Sequence, residues 1–280
     1  MKAVTESLAC LCGHQHFSEK FSYNAPPKLE IKFQFSGLEP YRRKIYQCNS
    51  CGHFISVHTM NTKDLYQSDY VNSTYGDESG ILRTFNRIIS LDPSKSDNFG
   101  RVKRICEFAA QYFSDGSKGK PSVLDVGSGL CVFLYAMKNE GWNCTAIDPD
   151  SRSVKHAQNT VKIKAVQGDF MTVKDLGLFD VISFNKVLEH VEDPIRMLAK
   201  SKENLKKNGF VYVELPDGEA ASAGGPDREE FAIDHIHIFS LKSFSLLADR
   251  AGFLIHSIER LQEPSTKYTL RAFLIPKILC

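Results

Sequence analysis

The sequence predicts an α/β fold: a parallel sheet covered by helices in its second half, preceded by a small cysteine-bearing module and a helical segment. Three observations predict it. Residues 122–130 read Ser-Val-Leu-Asp-Val-Gly-Ser-Gly-Leu, a short apolar run that ends in an acid and a glycine turn. Further apolar runs follow at the spacing of strands that alternate with helices, and two more of them also end in an acid. Cysteines are paired near the amino end, as Cys10-Leu11-Cys12 and Cys48-Asn49-Ser50-Cys51.

Composition narrows the class. A chain of 280 residues with 42% hydrophobic content can bury one large core or two smaller ones. A net charge of +2 carries no signal for nucleic acid or an anionic membrane. No apolar run is long enough to span a bilayer, and Met1 to Ser7 has no apolar signal core, so a cytoplasmic location is expected. In that compartment the eight cysteines are expected as thiols or metal ligands.

From the amino end, residues 1–60 read as a zinc-ribbon-like module. Each cysteine pair is followed by a glycine, Gly13 or Gly52, that permits the tight turn of a knuckle. Strands are expected over Leu29–Phe35 and Arg43–Gln47 between the knuckles. Cys10, Cys12, Cys48 and Cys51 are the expected ligands of one structural Zn²⁺, and His14, His16 or His53 could replace one of them. Residues 61–118 form a linker or lid segment. It has an aromatic stretch with Leu65, Tyr66, Tyr70, Ser73 and Tyr75, then helices over Ile81–Ser90 and Gly100–Phe113. The polar run Asp115–Pro121 marks the boundary to a domain over 119–280.

That domain opens with the strand Val123-Leu124, the turn at Gly127 and Gly129, and a helix from Val132 to Met137. Cys144–Ile147 is a second strand and ends in Asp148. Lys162–Gln167 is a third and ends in Gly168-Asp169-Phe170. Phe179–Asn185 is a fourth, buried strand. A helix over Ile195–Leu205 and a strand over Gly209–Pro216 follow. The glycine-rich loop Asp217–Arg228 is expected beside the ligand pocket. A helix over Leu241–Ala251 stops at Gly252, and Phe253–Ile258 with Tyr268–Ile275 form a terminal strand pair.

The strand, glycine turn, helix, strand and acid suit a nucleoside: the glycines admit close backbone approach, and Asp148 can accept from ribose hydroxyls. Val132 occupies the third small position of the dinucleotide fingerprint, and Asp125 would repel a pyrophosphate. Asp125 can instead pair with an ammonium, which favours S-adenosylmethionine over NAD. Asp169 could accept from the adenine amino group and Phe170 could cover the ring.

These motifs resemble the class I S-adenosylmethionine-dependent methyltransferases over residues 120 to about 280. Leu-Asp-Val-Gly-Ser-Gly looks like their first motif, Ile-Asp-Pro their ribose acid, Gly-Asp-Phe their adenine motif, and Leu-Glu-His-Val-Glu-Asp-Pro the segment after their fourth strand. The resemblance implies a Rossmann-like seven-stranded sheet with a terminal antiparallel hairpin. It also implies cofactor contacts from Asp125, Gly127, Gly129, Asp148, Asp169, Phe170 and Asn185. Cys131 departs from it, standing where the family often has a third glycine.

Methyl transfer from a sulfonium needs a nearby acceptor and often a base. His235 oriented by Asp234, and His190 after the fourth strand, are the candidate catalytic residues. The cysteine module, Tyr70, Ser73 and Asp234-His235 before Phe239-Ser240 resemble bacterial methyltransferases acting on nucleotide-linked deoxysugars. A sugar-like small-molecule acceptor is therefore expected. The carboxyl-terminal third domain of the sugar C-methyltransferases is not expected beyond Cys280, which leaves the acceptor atom open. Methylation of protein or RNA, with the module as a recognition arm, is one alternative, and a non-catalytic S-adenosylmethionine-binding module is another. The charge disfavours nucleic acid. Nothing in the sequence sets the oligomeric state.

Overall fold

The computed structural model describes residues 8–28, 30, 41–58, 78–113 and 119–277. Its elements, in chain order, are β1 (Phe17–Tyr23), β2 (Arg43–Cys48), β3 (Phe54–His58), α1 (Glu78–Ile89), α2 (Asp97–Tyr112), β4 (Ser122–Val126), α3 (Val132–Asn139), β5 (Asn143–Asp148), α4 (Ser151–His156), β6 (Lys164–Gln167), β7 (Phe179–Asn185), α5 (Pro194–Lys200), β8 (Leu205–Pro216), α6 (Gly218–Ser222), β9 (His237–Ile238), α7 (Leu241–Arg250), β10 (Phe253–Gln262) and β11 (Tyr268–Pro276).

The main sheet has seven strands in the order β10-β11-β8-β7-β4-β5-β6. The five strands from β8 to β6 run parallel, and β11 is antiparallel to both β8 and β10. Side chains alternate between its faces. Leu124, Val126, Ile182, Phe184, Val211 and Val213 pack on one side with Phe244 and Leu247 of α7. Val123, Val181, Phe210 and Tyr212 pack on the other with Ile105 of α2 and Phe133, Leu134 and Met137 of α3. Both faces of β7 are thus covered, which is why its successive residues Val181 and Ile182 are both apolar although they point to opposite faces.

A second sheet has the order β1-β2-β3-β9. Its last strand comes from residues 237–238, far along the chain from the cysteines. Gly218 sits where a Cβ would lie 2.6 Å from the Phe54 ring, so only glycine admits this close approach of α6 to the second sheet. The Ser240 hydroxyl donates to the Cys51 carbonyl at 2.6 Å, and Lys242 Nζ donates to the Ser50 carbonyl at 2.7 Å. Arg43 of β2 is buried against Glu30 and donates to the Phe231 carbonyl. The cysteine-bearing sheet is therefore completed by, and fastened to, the loop that precedes α7.

Several expectations change in detail. The helix after Pro194 ends at Lys200, and β8 already begins at Leu205. The glycine-rich loop from Asp217 contains α6, whose amino end is capped by Asp217 accepting from the Glu219 and Ala220 amides. The helix α4, capped by Asp150, is too short to carry a clear periodic signal in the sequence. The strand expected over Leu29–Phe35, the aromatic stretch with Tyr70 and Ser73, and most of the polar boundary run lie outside the described residues. Among the described residues no helix is long and apolar enough to cross a membrane.

Candidate functional site

The first cluster of predicted site residues lies at the carboxyl ends of β4, β5 and β7. Gly127, Gly129 and Cys131 all adopt left-handed backbone conformations, with φ of 66°, 48° and 54°. A Cβ on Gly127 would lie 2.9 Å from Val187 Cγ2. The Cys131 conformation explains why a glycine is common there: a left-handed residue begins α3. Its thiol is buried, and burial pushes it up to about 12, so it is a packing group and not a nucleophile.

Asp125 is buried beneath the turn. Its Oδ1 accepts from Ser183 Oγ at 2.6 Å and from Asn185 Nδ2 at 2.7 Å. Burial raises it to about 7 against those hydrogen bonds. Asp148 closes β5, where Oδ2 accepts from the Gly129 amide at 2.8 Å and Oδ1 from the Asp150 amide at 2.9 Å. Burial raises it to about 6. Asp148 is thus hydrogen-bonded to the glycine turn and Asp125 to Ser183 and Asn185 of β7, and together they make one cluster of polar groups at the ends of adjacent strands. Two buried polar atoms within it, Ser128 Oγ and Asn185 Oδ1, have no hydrogen-bond partner. A polar ligand seated on the turn would supply one.

Asp169 is exposed beyond β6, with Oδ1 accepting from the Met171 amide at 2.9 Å. Phe170 takes a different place from the one expected. It is buried in the core, edge-on to Phe184 with ring centroids 5.9 Å apart, instead of standing open above a base. The Gly-Asp-Phe pattern contains no information on which way the ring turns.

A second cluster of the predicted residues lines a separate cavity of about 260 Å³, together with Lys186, Glu189 and Glu230: His190, Asp234 and His235. It brings all three predicted catalytic residues together. Their pairing is not the predicted one. His190 Nδ1 lies 2.8 Å from the Asp234 carbonyl oxygen and 3.6 Å from its carboxylate. His235 Nδ1 instead faces the Glu230 carbonyl at 2.8 Å. The two rings are 4.9 Å apart. Burial, together with His190 nearby, holds His235 below the ordinary histidine value, although Asp234 opposes this. A larger cavity of about 430 Å³ lies between α1, α2 and α3, and none of the predicted site residues lines it.

Sequence reasoning passed over Lys186, Ser183 and Arg101. Lys186 has a left-handed backbone, φ 61°, and donates to Thr269 Oγ1 at 3.0 Å; burial lowers its ammonium. Arg101 of α2 donates to Glu214 on β8 at 2.8 Å. Burial alone would raise Glu214, yet Arg101 and Arg271 beside it hold its carboxyl at about 2. Positive φ at a lysine has no residue-type signature, and the Arg101–Glu214 pair joins positions 113 residues apart.

The four cysteines converge. Their sulfurs lie within 4.8 Å of one another, with Cys10 to Cys51 at 3.3 Å and Cys12 to Cys48 at 3.6 Å. A tetrahedral ion with Zn–S of about 2.3 Å places its sulfurs about 3.8 Å apart, so this donor set fits a thiolate-bound zinc. His53 is not a fourth-ligand substitute. It is buried and hydrogen-bonded to His237 at 3.0 Å and to Ser243 at 3.2 Å. His14 approaches only Cys12, with its Nδ1 3.7 Å from the sulfur.

Comparison with known proteins bears on the family and the fold. A methyltransferase-domain family matches residues 95–258. The chain belongs to that family. Among curated relatives, ubiquinone biosynthesis O-methyltransferase of Rickettsia typhi is 25% identical over 160 residues, covering 55% of this chain and 61% of that protein. The Rickettsia canadensis protein of the same name is 30% identical over 163 residues, covering 55% and 63%. The chain thus spans about three fifths of the length of these relatives. Among solved structures, magnesium protoporphyrin IX methyltransferase from Synechocystis PCC 6803 with bound S-adenosylhomocysteine has a TM-score of 0.53 at 14% identity, covering 77% of this chain and 98% of that one. The glycopeptide N-methyltransferase MtfA with sinefungin has a TM-score of 0.50 at 14% identity, covering 63% and 87%. The methyltransferase chain has the Rossmann-like fold of its class, with the antiparallel hairpin β10-β11 at one edge of its seven strands.

Proposed function

We propose that this methyltransferase-family chain transfers a methyl group from S-adenosylmethionine to a small-molecule acceptor held in the 260 Å³ cavity. The observation that carries the reading is the turn at Gly127 and Gly129, flanked by Asp125 and Asp148 at the ends of adjacent parallel strands, with Ser128 Oγ and Asn185 Oδ1 left for a polar ligand. Asp148 serves the ribose hydroxyls and Asp169 the adenine amino group. Asp125 serves the ammonium end through Asn185, which it holds. The cofactor supplies an electrophilic methyl and its own leaving group.

The chain's residues must exclude water, position the acceptor and handle its proton. Lys186, Glu189, His190 and His235 line the cavity where that acceptor would sit. His190 and His235 are the groups for its proton, His235 held by the Glu230 carbonyl and His190 by Asp234. A hydroxyl acceptor is supported by the names of the curated O-methyltransferase relatives. Within hydroxylated small molecules, a sugar-like acceptor is the finer reading, supported by the cysteine module and Asp234-His235 that resemble the sugar enzymes. The four cysteines hold one structural Zn²⁺ that clamps the two knuckles, and the protein works in the cytoplasm.

Titration calorimetry with S-adenosylhomocysteine tests the cofactor reading. One site per chain is expected, weakened when Asp148 is replaced. Binding of NAD without binding of S-adenosylhomocysteine would overturn it.

A further inference from the structure

We propose that Glu189, His190 and His235 form a binding site for a divalent first-row transition ion at the acceptor cavity. The proposal rests on the acceptor-pocket reading for its purpose and replaces the proton-accepting role of the two histidines there, because a ring lone pair given to an ion is not open to a proton; the ion would instead acidify the acceptor hydroxyl. Glu189 and His190 lie in the turn after β7, and His235 lies just before β9. The Ile236 amide donates to the Glu189 carbonyl at 2.8 Å and fastens the two loops together. One donor atom from each of the three side chains then falls within 4.8 Å of the others.

Two features separate this cluster from an ordinary polar contact. Glu189 is 0% exposed, and neither of its carboxylate oxygens has a hydrogen-bond partner. A buried carboxylate in that state is strongly unfavourable unless something compensates it. Lys186 is close by, but its ammonium is directed to Thr269 Oγ1.

The second feature is how the imidazoles are held. Each Nδ1 faces a backbone carbonyl oxygen at 2.8 Å, that of Asp234 for His190 and that of Glu230 for His235. A carbonyl only accepts, so Nδ1 carries the hydrogen and the lone pair of the neutral ring resides on Nε2. Metal-bound histidines are oriented in this way, by an outer partner on the other nitrogen. Two imidazoles and one carboxylate suit Mn²⁺, Fe²⁺, Co²⁺ or Zn²⁺. Three protein ligands leave coordination positions toward the cavity. An acceptor with two adjacent oxygen atoms, such as a vicinal diol, would fill them and be fixed before the sulfonium.

The test uses the full-length protein with its cysteine site loaded with zinc. Mn²⁺ is titrated and free ion followed by electron paramagnetic resonance; Co²⁺ is titrated in parallel by visible absorption. Hard Mn²⁺ avoids thiolates, so uptake does not report the cysteines. One ion per chain is expected. Glu189→Gln and His235→Gln should each weaken uptake about tenfold or more, with unfolding temperature and S-adenosylhomocysteine affinity retained as evidence of folding. If a substitution unfolds the chain, His190→Gln replaces it. No stoichiometric uptake of either ion, or equal uptake by the folded variants, overturns the site. Ion uptake without S-adenosylhomocysteine binding would instead leave the site standing and remove the methyltransferase reading.

Discussion

Replacing Asp148 by asparagine should move affinity and stability in opposite directions. Burial raises this carboxyl from the ordinary 3.8 to about 6. Its folded-state value lies above the unfolded one, so its charge opposes folding at pH 7 and ceases to do so as pH falls below about 4. A rise of that size corresponds to roughly 3 kcal/mol. Asparagine removes that cost but keeps one acceptor oxygen, so either the Gly129 or the Asp150 amide loses its partner. That loss costs about 1–2 kcal/mol. The ligand-free variant should therefore gain about 1–2 kcal/mol at pH 7, a rise of about 2–8 °C in unfolding temperature by the usual 2–4 °C per kcal/mol. The gain should vanish near pH 4. Affinity for S-adenosylhomocysteine should fall by about 1.5–3 kcal/mol, roughly ten- to a hundredfold or more, because the ribose hydroxyls lose a charged acceptor. Scanning calorimetry at pH 4 and 7 and titration calorimetry at pH 7 measure both arms. A destabilised variant with undiminished affinity would refute the reasoning, since Asp148 would then be a structural cap of the turn.

His235→Ala should lower turnover by about 10²–10⁴-fold while S-adenosylhomocysteine affinity stays unchanged, and His190→Ala assayed beside it shows which histidine matters more. If both variants stay active in a methyl-transfer assay, the acceptor is already nucleophilic and the protein contributes position alone. Metal analysis of protein purified without added zinc should give one tightly held zinc assigned to Cys10, Cys12, Cys48 and Cys51; Cys48→Ser should lose it, and four freely reactive thiols in the native protein would reject the site. Gly127→Ala must place a side chain at φ 66° and 2.9 Å from Val187, so about 1–3 kcal/mol of stability and most cofactor affinity should be lost, as urea unfolding and calorimetry would show. Gly218→Ala should cost about 1–3 kcal/mol by driving Phe54 from its contact, with cofactor affinity preserved.

Much of the catalytic domain was legible because its signals are local. Successive apolar residues such as Val181 and Ile182 point to opposite faces and so mark a strand buried on both, and glycines at 127 and 129 announce a turn that other residues resist. Strand ends therefore came within a few residues, and the acids at 125, 148 and 169 fell where a parallel sheet presents its ligands. Cysteine pairing was legible for the same reason: thiols at close spacing beside glycines have few other uses.

What the tertiary structure alone decided depends on contacts between distant residues. No local pattern tells that His237 and Ile238 pair with β3, because a two-residue strand has no periodicity of its own. That pairing draws the cysteine sheet onto the loop of His235 and turns His53 inward to His237, away from the cysteine cluster it was a candidate to join. The partner of each histidine was likewise hidden. Asp234 precedes His235 in sequence, yet the loop places its carbonyl and carboxylate toward His190, 44 residues away, and leaves His235 to Glu230. Adjacent side chains in an irregular loop diverge, so neighbours in sequence are poor guides to hydrogen-bond partners. The buried carboxylate of Glu189 follows from the same docking of two loops, and only their packing removes it from water.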